Sequence, residues 1–150
     1  MSRSPFLPLA LTLLAASALV PHGLLAQEKE DFTDARFAEL QAQGAVILVD
    51  IWAEWCPTCA EQQRVLRAFQ EDHPDAELHI LQVNFDTQKP VVTRFAAPRQ
   101  STLILYRGEE RLWFSVAETR RDAIFSRLRE ALAEPGTRGE AQDLGAALPR

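Results

Sequence analysis

The chain has little cysteine and no excess of positive charge, and both shortages restrict what it can do. Its 150 residues include two cysteines and three histidines. A chain of this length can bury a core without disulfides, and two cysteines so close together restrain the unfolded chain little. A disulfide-stapled scaffold is therefore not expected. The formal net charge of −5 disfavours nucleic acids and anionic membrane surfaces as partners.

The N-terminal segment also lacks a run long enough for a membrane-spanning helix. Arg3 is its only charge, and the apolar stretch at residues 9–20 is shorter than the roughly 20 residues that a spanning helix needs. Residues 24–26 resemble a small-residue cleavage site, so we predict a signal peptide over residues 1–26. The protein should then be exported, either periplasmic or secreted. Because Leu24 is larger than the preferred alanine, an uncleaved N-terminal anchor is the alternative.

The rest of the chain has the length of one domain and no visible internal repeat. We place this domain at residues 27–134. Residues 27–32 are polar, and we expect them to be frayed. The Gly- and Ala-rich end, residues 135–150, is predicted to be a flexible C-terminal tail.

Helix and strand patterns alternate within the domain. Thr33 or Asp34 can cap a first helix, and Thr119 can cap a last one, with Asp122 at the capping-box position. Between them the patterns predict strands at 45–52, 78–85, 102–106 and 111–116, and helices at 57–72 and 90–95. This order predicts an α/β protein with a central mixed β-sheet and helices on both faces.

The two cysteines stand in a Trp-Cys-Pro-Thr-Cys sequence, between the first long strand and a helix. Amide groups and the dipole at a helix start favour an anion, so Cys56 should be the attacking thiolate. Pro57 has no N–H, which leaves Thr58 and Cys59 as amide donors to that sulfur. Cys59 should be the resolving thiol that cleaves a mixed disulfide. Trp55 can both pack on the pair and shield it.

Asp50 is a lone carboxylate in an otherwise apolar strand, six residues before Cys56. Such a group costs free energy in a buried strand unless it has a task or a partner. Burial should raise the pKa of Asp50, which suits a general base. A hydrogen-bonded structural role is the alternative.

These features together resemble thioredoxin. The stretch from Asp50 to Cys56, the strand end at residues 83–86, the strand at 102–106 and the closing helix follow thioredoxin order and nearly its spacing. The Pro-Thr dipeptide is similar to that of the reducing thioredoxin-like proteins of cytochrome c maturation. The resemblance implies a thioredoxin fold and a thiol–disulfide oxidoreductase without a cofactor. It also implies that Asp50 handles the proton of Cys59.

One loop departs from the family pattern. Ser101 stands where thioredoxins have a cis-proline that faces the active site, and the resemblance implies that Gln100, Ser101 and Thr102 form a substrate-binding loop. A cis bond before a residue other than proline costs about 3 kcal/mol, so we expect the Gln100–Ser101 bond to be trans. Substrate handling should therefore differ from that of thioredoxin.

Two further positions differ near the active site. Gln82 stands where thioredoxin has a lysine near the buried aspartate. Without that cation the pKa of Asp50 should rise further, if no other partner replaces it. Ala117 stands where the family has a glycine of the substrate groove.

Two other interpretations of the cysteine pair remain open. Half of a zinc site is one, although there is no second cysteine pair and His22, His73 and His79 lack ligand spacing, so no metal is predicted. An inert disulfide is the other.

The leading hypothesis is an exported oxidoreductase that reduces or isomerises disulfides in a narrow set of exported proteins, acting as a monomer. Since an exported reductant needs electrons from elsewhere, the resemblance implies a membrane thiol-electron carrier as a partner. One alternative is a binding module that uses the pair for a soft metal such as Cu(I), or uses the fold for docking. A disulfide-donating oxidant is another.

Overall fold

The structure is a computed structural model that describes residues 29–133. The predicted signal peptide and C-terminal tail lie outside these residues. The elements in chain order are β1 (Glu30–Asp31), α1 (Asp34–Ala42), β2 (Val46–Trp52), α2 (Pro57–Asp72), β3 (Leu78–Asn84), α3 (Lys89–Arg94), β4 (Thr102–Arg107), β5 (Glu110–Val116) and α4 (Arg121–Leu132). No helix in this part of the chain is long and apolar enough to cross a membrane.

The strands form one mixed five-stranded sheet in the order β1-β3-β2-β4-β5. β1, β3 and β2 run parallel, whereas β4 is antiparallel to β2 and β5 is antiparallel to β4. β2 lies at the centre, where Asp50 is opposite Gln82 on β3 and Leu103 on β4. Because both faces of β2 are covered, its sequence is a nearly continuous apolar run.

Alternation of side chains along β2 divides the core into two layers. On one face Leu48 packs with Leu66 and Phe69 of α2 and with Leu128 of α4. On the other face Ile47, Val49 and Ile51 of β2 pack with Leu40 of α1 and Val92 of α3. The predicted α/β architecture with helices on both faces of a mixed sheet is confirmed.

The prediction that residues 27–32 are frayed is wrong for their second half. β1 pairs with the outer edge of β3, and the amide of Phe32 donates to the carbonyl of Gln82 at 2.9 Å. The Phe32 ring is 3% exposed and lies 5.5 Å from the rings of Phe37 and Phe95. Free backbone groups at the sheet edge and one large apolar side chain outweigh the polar composition of the segment.

Helix α1 begins as predicted, with the Thr33 hydroxyl accepting from the Arg36 amide at 3.1 Å. The predicted Thr119 cap of α4 is wrong, because the N-cap residue is Arg120 and its side chain makes no capping bond. The Glu118 carboxylate instead accepts from the amides of Thr119 and Arg120, at 3.1 and 2.9 Å. Both of these amides precede Arg121, the first residue of α4, so Glu118 fixes the segment that leads into the helix and does not cap its first turn.

Candidate active site

The cysteine pair lies where β2 ends and α2 begins, at the carboxyl edge of the parallel strands. Cys56 is the N-cap residue of α2, and its sulfur accepts from the Cys59 amide at 3.1 Å. Pro57 occupies the first helical position. Of the two amides predicted to reach this sulfur, that of Cys59 makes the contact, while Thr58 lies half-buried beside the pair. The two cysteines form a disulfide with their Cα atoms 5.3 Å apart.

Both sulfur-bearing residues are almost completely covered, at 3% exposure for Cys56 and 1% for Cys59. Ala53, Trp52 and Phe85 pack against them. Phe85 was not predicted to contact the cysteines. Its position directly after β3 could have predicted this contact, because the carboxyl ends of the adjacent parallel strands β2 and β3 meet at one edge of the sheet.

Trp55 lies on the surface, next to the residues that pack on the cysteines. Its side chain is 61% exposed. The indole Nε1 donates to Oδ2 of Asp86 at 2.8 Å, which fixes the ring beside the end of β3. The apolar packing on the cysteines therefore comes mainly from Trp52 and Phe85, and Trp55 presents an apolar surface at the rim of the site.

Asp50 is fully buried at the centre of the sheet, on the face covered by α2. Its Oδ2 accepts from Gln82 Nε2 at 3.2 Å and from Gln63 Nε2. Its Oδ1 has no partner among the described residues. Burial raises the pKa of Asp50, and these two amides with the nearby charge of Lys29 offset that rise only in part. The predicted direction is confirmed.

The cation near Asp50 is Lys29, which comes from a segment where no partner was expected. Lys29 precedes β1 and is half-buried, which lowers its pKa, while the charge of Asp50 opposes that shift. The sequence comparison considered only the β3 position, where Gln82 stands. Lys29 was missed because its segment was expected to be frayed.

The loop before β4 brings a hydroxyl onto the disulfide. Ser101 Oγ lies 3.1 Å from Cys56 Sγ and 3.3 Å from Cys59 Sγ. The described residues contain no cis peptide bond, so the Gln100–Ser101 bond is trans as predicted, and Ser101 has a φ of 63°. Ser101 and its neighbour Thr102 are fully buried, whereas Gln100 reaches the surface in part.

Gln62 connects α2 to this loop and was not predicted. It is fully buried, and its Nε2 donates to the carbonyls of Ser101 and Glu118, at 3.2 and 2.9 Å. Together with Gln63 it forms a polar pair on a helix face that is otherwise apolar. These two polar residues, one turn after Cys59, interrupt the apolar face of the helix, and this interruption could have indicated a role at the site.

Comparison with known proteins agrees with this geometry. The family model for thioredoxin matches residues 28–130. A thioredoxin from Staphylococcus haemolyticus is 33% identical over 78 residues, which cover 52% of this chain and 73% of that protein.

The chain belongs to the thioredoxin family.

Solved structures show the same relationship. The crystal structure of Trxlp from Edwardsiella tarda matches with a TM-score of 0.64 and 40% identity, over 67% of this chain and 98% of that one. A thioredoxin from Trypanosoma brucei brucei matches with a TM-score of 0.60 over 70% and 91% of the two chains, at 16% identity, which shows the fold alone.

This thioredoxin-family protein is a thiol–disulfide oxidoreductase, and the Cys56–Cys59 pair is its redox group. Within residues 29–133 there is no cluster of three or more side chains of His, Cys, Asp or Glu that could hold a metal ion.

Proposed function

We propose that this protein works outside the cytoplasm, where it reduces or isomerises disulfides in a narrow set of exported proteins. The observation that carries the redox part is the position of the Cys56 sulfur at the N-cap of α2, where it accepts an amide hydrogen bond. A sulfur at this position is stabilised as an anion by the helix dipole and by unpaired amide groups. Export rests on the signal-like sequence of residues 1–26.

The exchange takes place in two steps. The Cys56 thiolate attacks one sulfur of a substrate disulfide, a mixed disulfide forms, and the other substrate sulfur leaves as a thiolate. Cys59 then loses its proton and attacks the Cys56 sulfur, which closes the Cys56–Cys59 disulfide and releases the reduced substrate. Two electrons pass from the dithiol to the substrate. A membrane dithiol carrier would return them to the protein.

Asp50 is the proposed acceptor of the Cys59 proton. Its carboxylate lies under α2, where it is hydrogen-bonded by Gln63, one helical turn after Cys59. Burial raises the pKa of Asp50. The raised pKa is closer to the pH at which the protein works, as is required of a general base.

A narrow substrate set is supported by the loop before β4. The Ser101 amide donates to the carbonyl of Ile51 at 2.8 Å, and its carbonyl accepts from the Ala117 amide at 2.8 Å and from Gln62. Both backbone groups of Ser101 therefore already have partners within the protein. A substrate strand would have to pair elsewhere, and Gln100 is the member of the predicted loop that reaches the surface.

The test is a trapping experiment in the native host. Cys59→Ser should accumulate mixed disulfides through Cys56, and mass spectrometry of the captured proteins should identify a short list of exported proteins. Cys56→Ser/Cys59→Ser is the matched control and should capture nothing. Full exchange activity in Cys56→Ser would contradict the assignment, and capture of cytoplasmic proteins alone would contradict export.

The direction of electron flow has its own measurement. Equilibration with glutathione gives the reduction potential of the pair. Thioredoxin has a reduction potential of about −270 mV, and a similar value here would support a reductant. A value of about −120 mV would show a disulfide donor instead.

A further inference from the structure

The Ser101 hydroxyl occupies a position between the two reacting sulfurs. It lies 3.1 Å from Cys56 Sγ and 3.3 Å from Cys59 Sγ, within hydrogen-bond distance of both sulfurs. A serine hydroxyl has one hydrogen to donate and two lone pairs that accept. A single hydroxyl can therefore serve both sulfurs at once.

The backbone around Ser101 holds this hydroxyl in place. The residue adopts a left-handed conformation, with a φ of 63°, that is uncommon outside glycine. Its amide is bound to Ile51, and its carbonyl to Ala117 and Gln62. Because Ser101 is fully buried, water does not compete for the hydroxyl. A conformation that is strained and held from three sides points to a role for this side chain.

We propose that Ser101 is a catalytic residue of the exchange reaction, whose hydroxyl donates to the Cys56 thiolate and accepts the S–H of Cys59 in the reduced protein. This deepens the proposed function and rests on it. Reduction of the disulfide by two glutathione molecules yields the Cys56 thiolate, the Cys59 thiol, one oxidised glutathione and one released proton. The hydroxyl itself is neither consumed nor oxidised in this step.

The proposed hydrogen bond has two measurable consequences. Hydrogen bonds to charged groups are stronger than those to neutral ones, so the hydroxyl stabilises the thiolate more than it stabilises the disulfide. It should therefore make Cys56 reactive at lower pH. It should also shift the equilibrium with glutathione toward the reduced protein.

The test uses two substitutions that remove the hydroxyl in different backbone contexts. Ser101→Ala retains the strained conformation, whereas Ser101→Gly adopts it freely. The readouts are the pH profile of Cys56 alkylation in the reduced protein, located by mass spectrometry, and the equilibrium constant with glutathione. Thr93→Ala, which removes an exposed hydroxyl on α3, is the control. Asp50 on β2 and Asp86 in the turn after β3, the carboxylates near the pair, are unchanged in every variant.

Both Ser101 variants should move the alkylation midpoint up by about one pH unit and shift the glutathione equilibrium about tenfold toward the disulfide, which is about 30 mV. Thr93→Ala should match the wild type. Unchanged profiles in both Ser101 variants would overturn the proposal. A change in only one of them would also overturn it, because the change would then come from the backbone conformation and not from loss of the hydroxyl. Should Ser101→Ala fail to fold, Ser101→Gly decides alone. Exchange by the wild-type protein tests the proposed function separately.

Discussion

The side-chain amide of Gln82 donates a hydrogen bond of 3.2 Å to Oδ2 of Asp50, across two adjacent parallel strands. An uncharged donor thus occupies the strand position beside the buried carboxylate. Gln63 adds a second amide from the helix above. Two neutral donors on one oxygen leave Oδ1 without a partner among the described residues. The charged form of Asp50 is therefore costly, and this cost determines how stability responds to pH.

Asp50→Asn should stabilise the protein at neutral pH by about 1–3 kcal/mol, because it removes the cost of keeping a charged carboxylate buried. Since burial raises the pKa of Asp50 in the folded state, the folded protein binds the proton more tightly than the unfolded chain. This contribution to stability is complete below the unfolded pKa of about 3.9 and is lost as the pH rises through the folded pKa. The advantage of Asp50→Asn should therefore grow from acid to neutral pH, as measured by urea unfolding.

The same variant should slow disulfide exchange, because the proposed proton acceptor is removed. Asp31→Asn, at an exposed position on β1, is the control and should change neither property. Equal stability of Asp50→Asn and wild type at all pH values would argue against a buried ionisable carboxylate.

Phe32→Ala should destabilise the protein by about 3–5 kcal/mol, the range for removing a buried aromatic ring. The ring lies in a cluster with Phe37 and Phe95, next to the two-residue strand β1. Leu112→Ala, at an exposed position of β5, should stay within about 0.5 kcal/mol of wild type. Thermal unfolding compares the two, and similar values for both would mean that β1 is not docked in solution.

Ala117→Gly should stabilise the protein by about 1 kcal/mol. Ala117 has a φ of 57°, a region that costs residues other than glycine about 1–2 kcal/mol, less the entropy that glycine adds to the unfolded chain. Ala68→Gly, in the interior of α2, should have the opposite sign, with a loss of about 1 kcal/mol. Chemical unfolding of the two variants measures these signs, and destabilisation by Ala117→Gly would refute the left-handed assignment.

Ser101→Pro should destabilise the protein by about 3 kcal/mol or more, even though it restores the residue type of the family. Proline requires a φ near −65°, whereas Ser101 has a φ of 63° and uses its amide to bind Ile51. Ser101→Gly keeps both features and should remain close to wild type in thermal stability. A Ser101→Pro protein as stable as wild type would show that the loop can adopt a backbone conformation that accepts proline.

Much of the fold was predictable because its signals are local. Periodicity and capping residues placed seven of the nine elements that the structure describes in residues 29–133 within one or two residues; α4 lies in its predicted region, although its cap at Thr119 was wrong. β1 was missed because two residues have no periodicity, and the pairing that makes them a strand comes from β3. The cap of α4 was wrong because the helix begins one residue later than a Thr119 cap requires, so the N-cap position falls on Arg120.

In the candidate site, too, the residues with local sequence signals were predicted and those placed by long-range contacts were not. The sequence placed Cys56, Cys59 and Asp50, because a dithiol at a helix start and a carboxylate in an apolar strand are both visible locally. Lys29 and Gln63 were missed. Lys29 acts on Asp50 from the segment before β1, and Gln63 acts on it from α2. No short-range sequence pattern shows which side chains from such distant segments meet.

The sequence by itself determined that Cys56 and Cys59 lie together at the start of a helix that follows a buried strand, since their spacing and the preceding strand are properties of consecutive residues. Only the tertiary structure decided what surrounds that pair. It brought the hydroxyl of Ser101, 42 residues after Cys59, to 3.3 Å from its sulfur. It did so because β4 lies beside β2 in the sheet, which places the loop before β4 against the loop after β2. That adjacency is a consequence of strand order, which chain-local patterns do not contain.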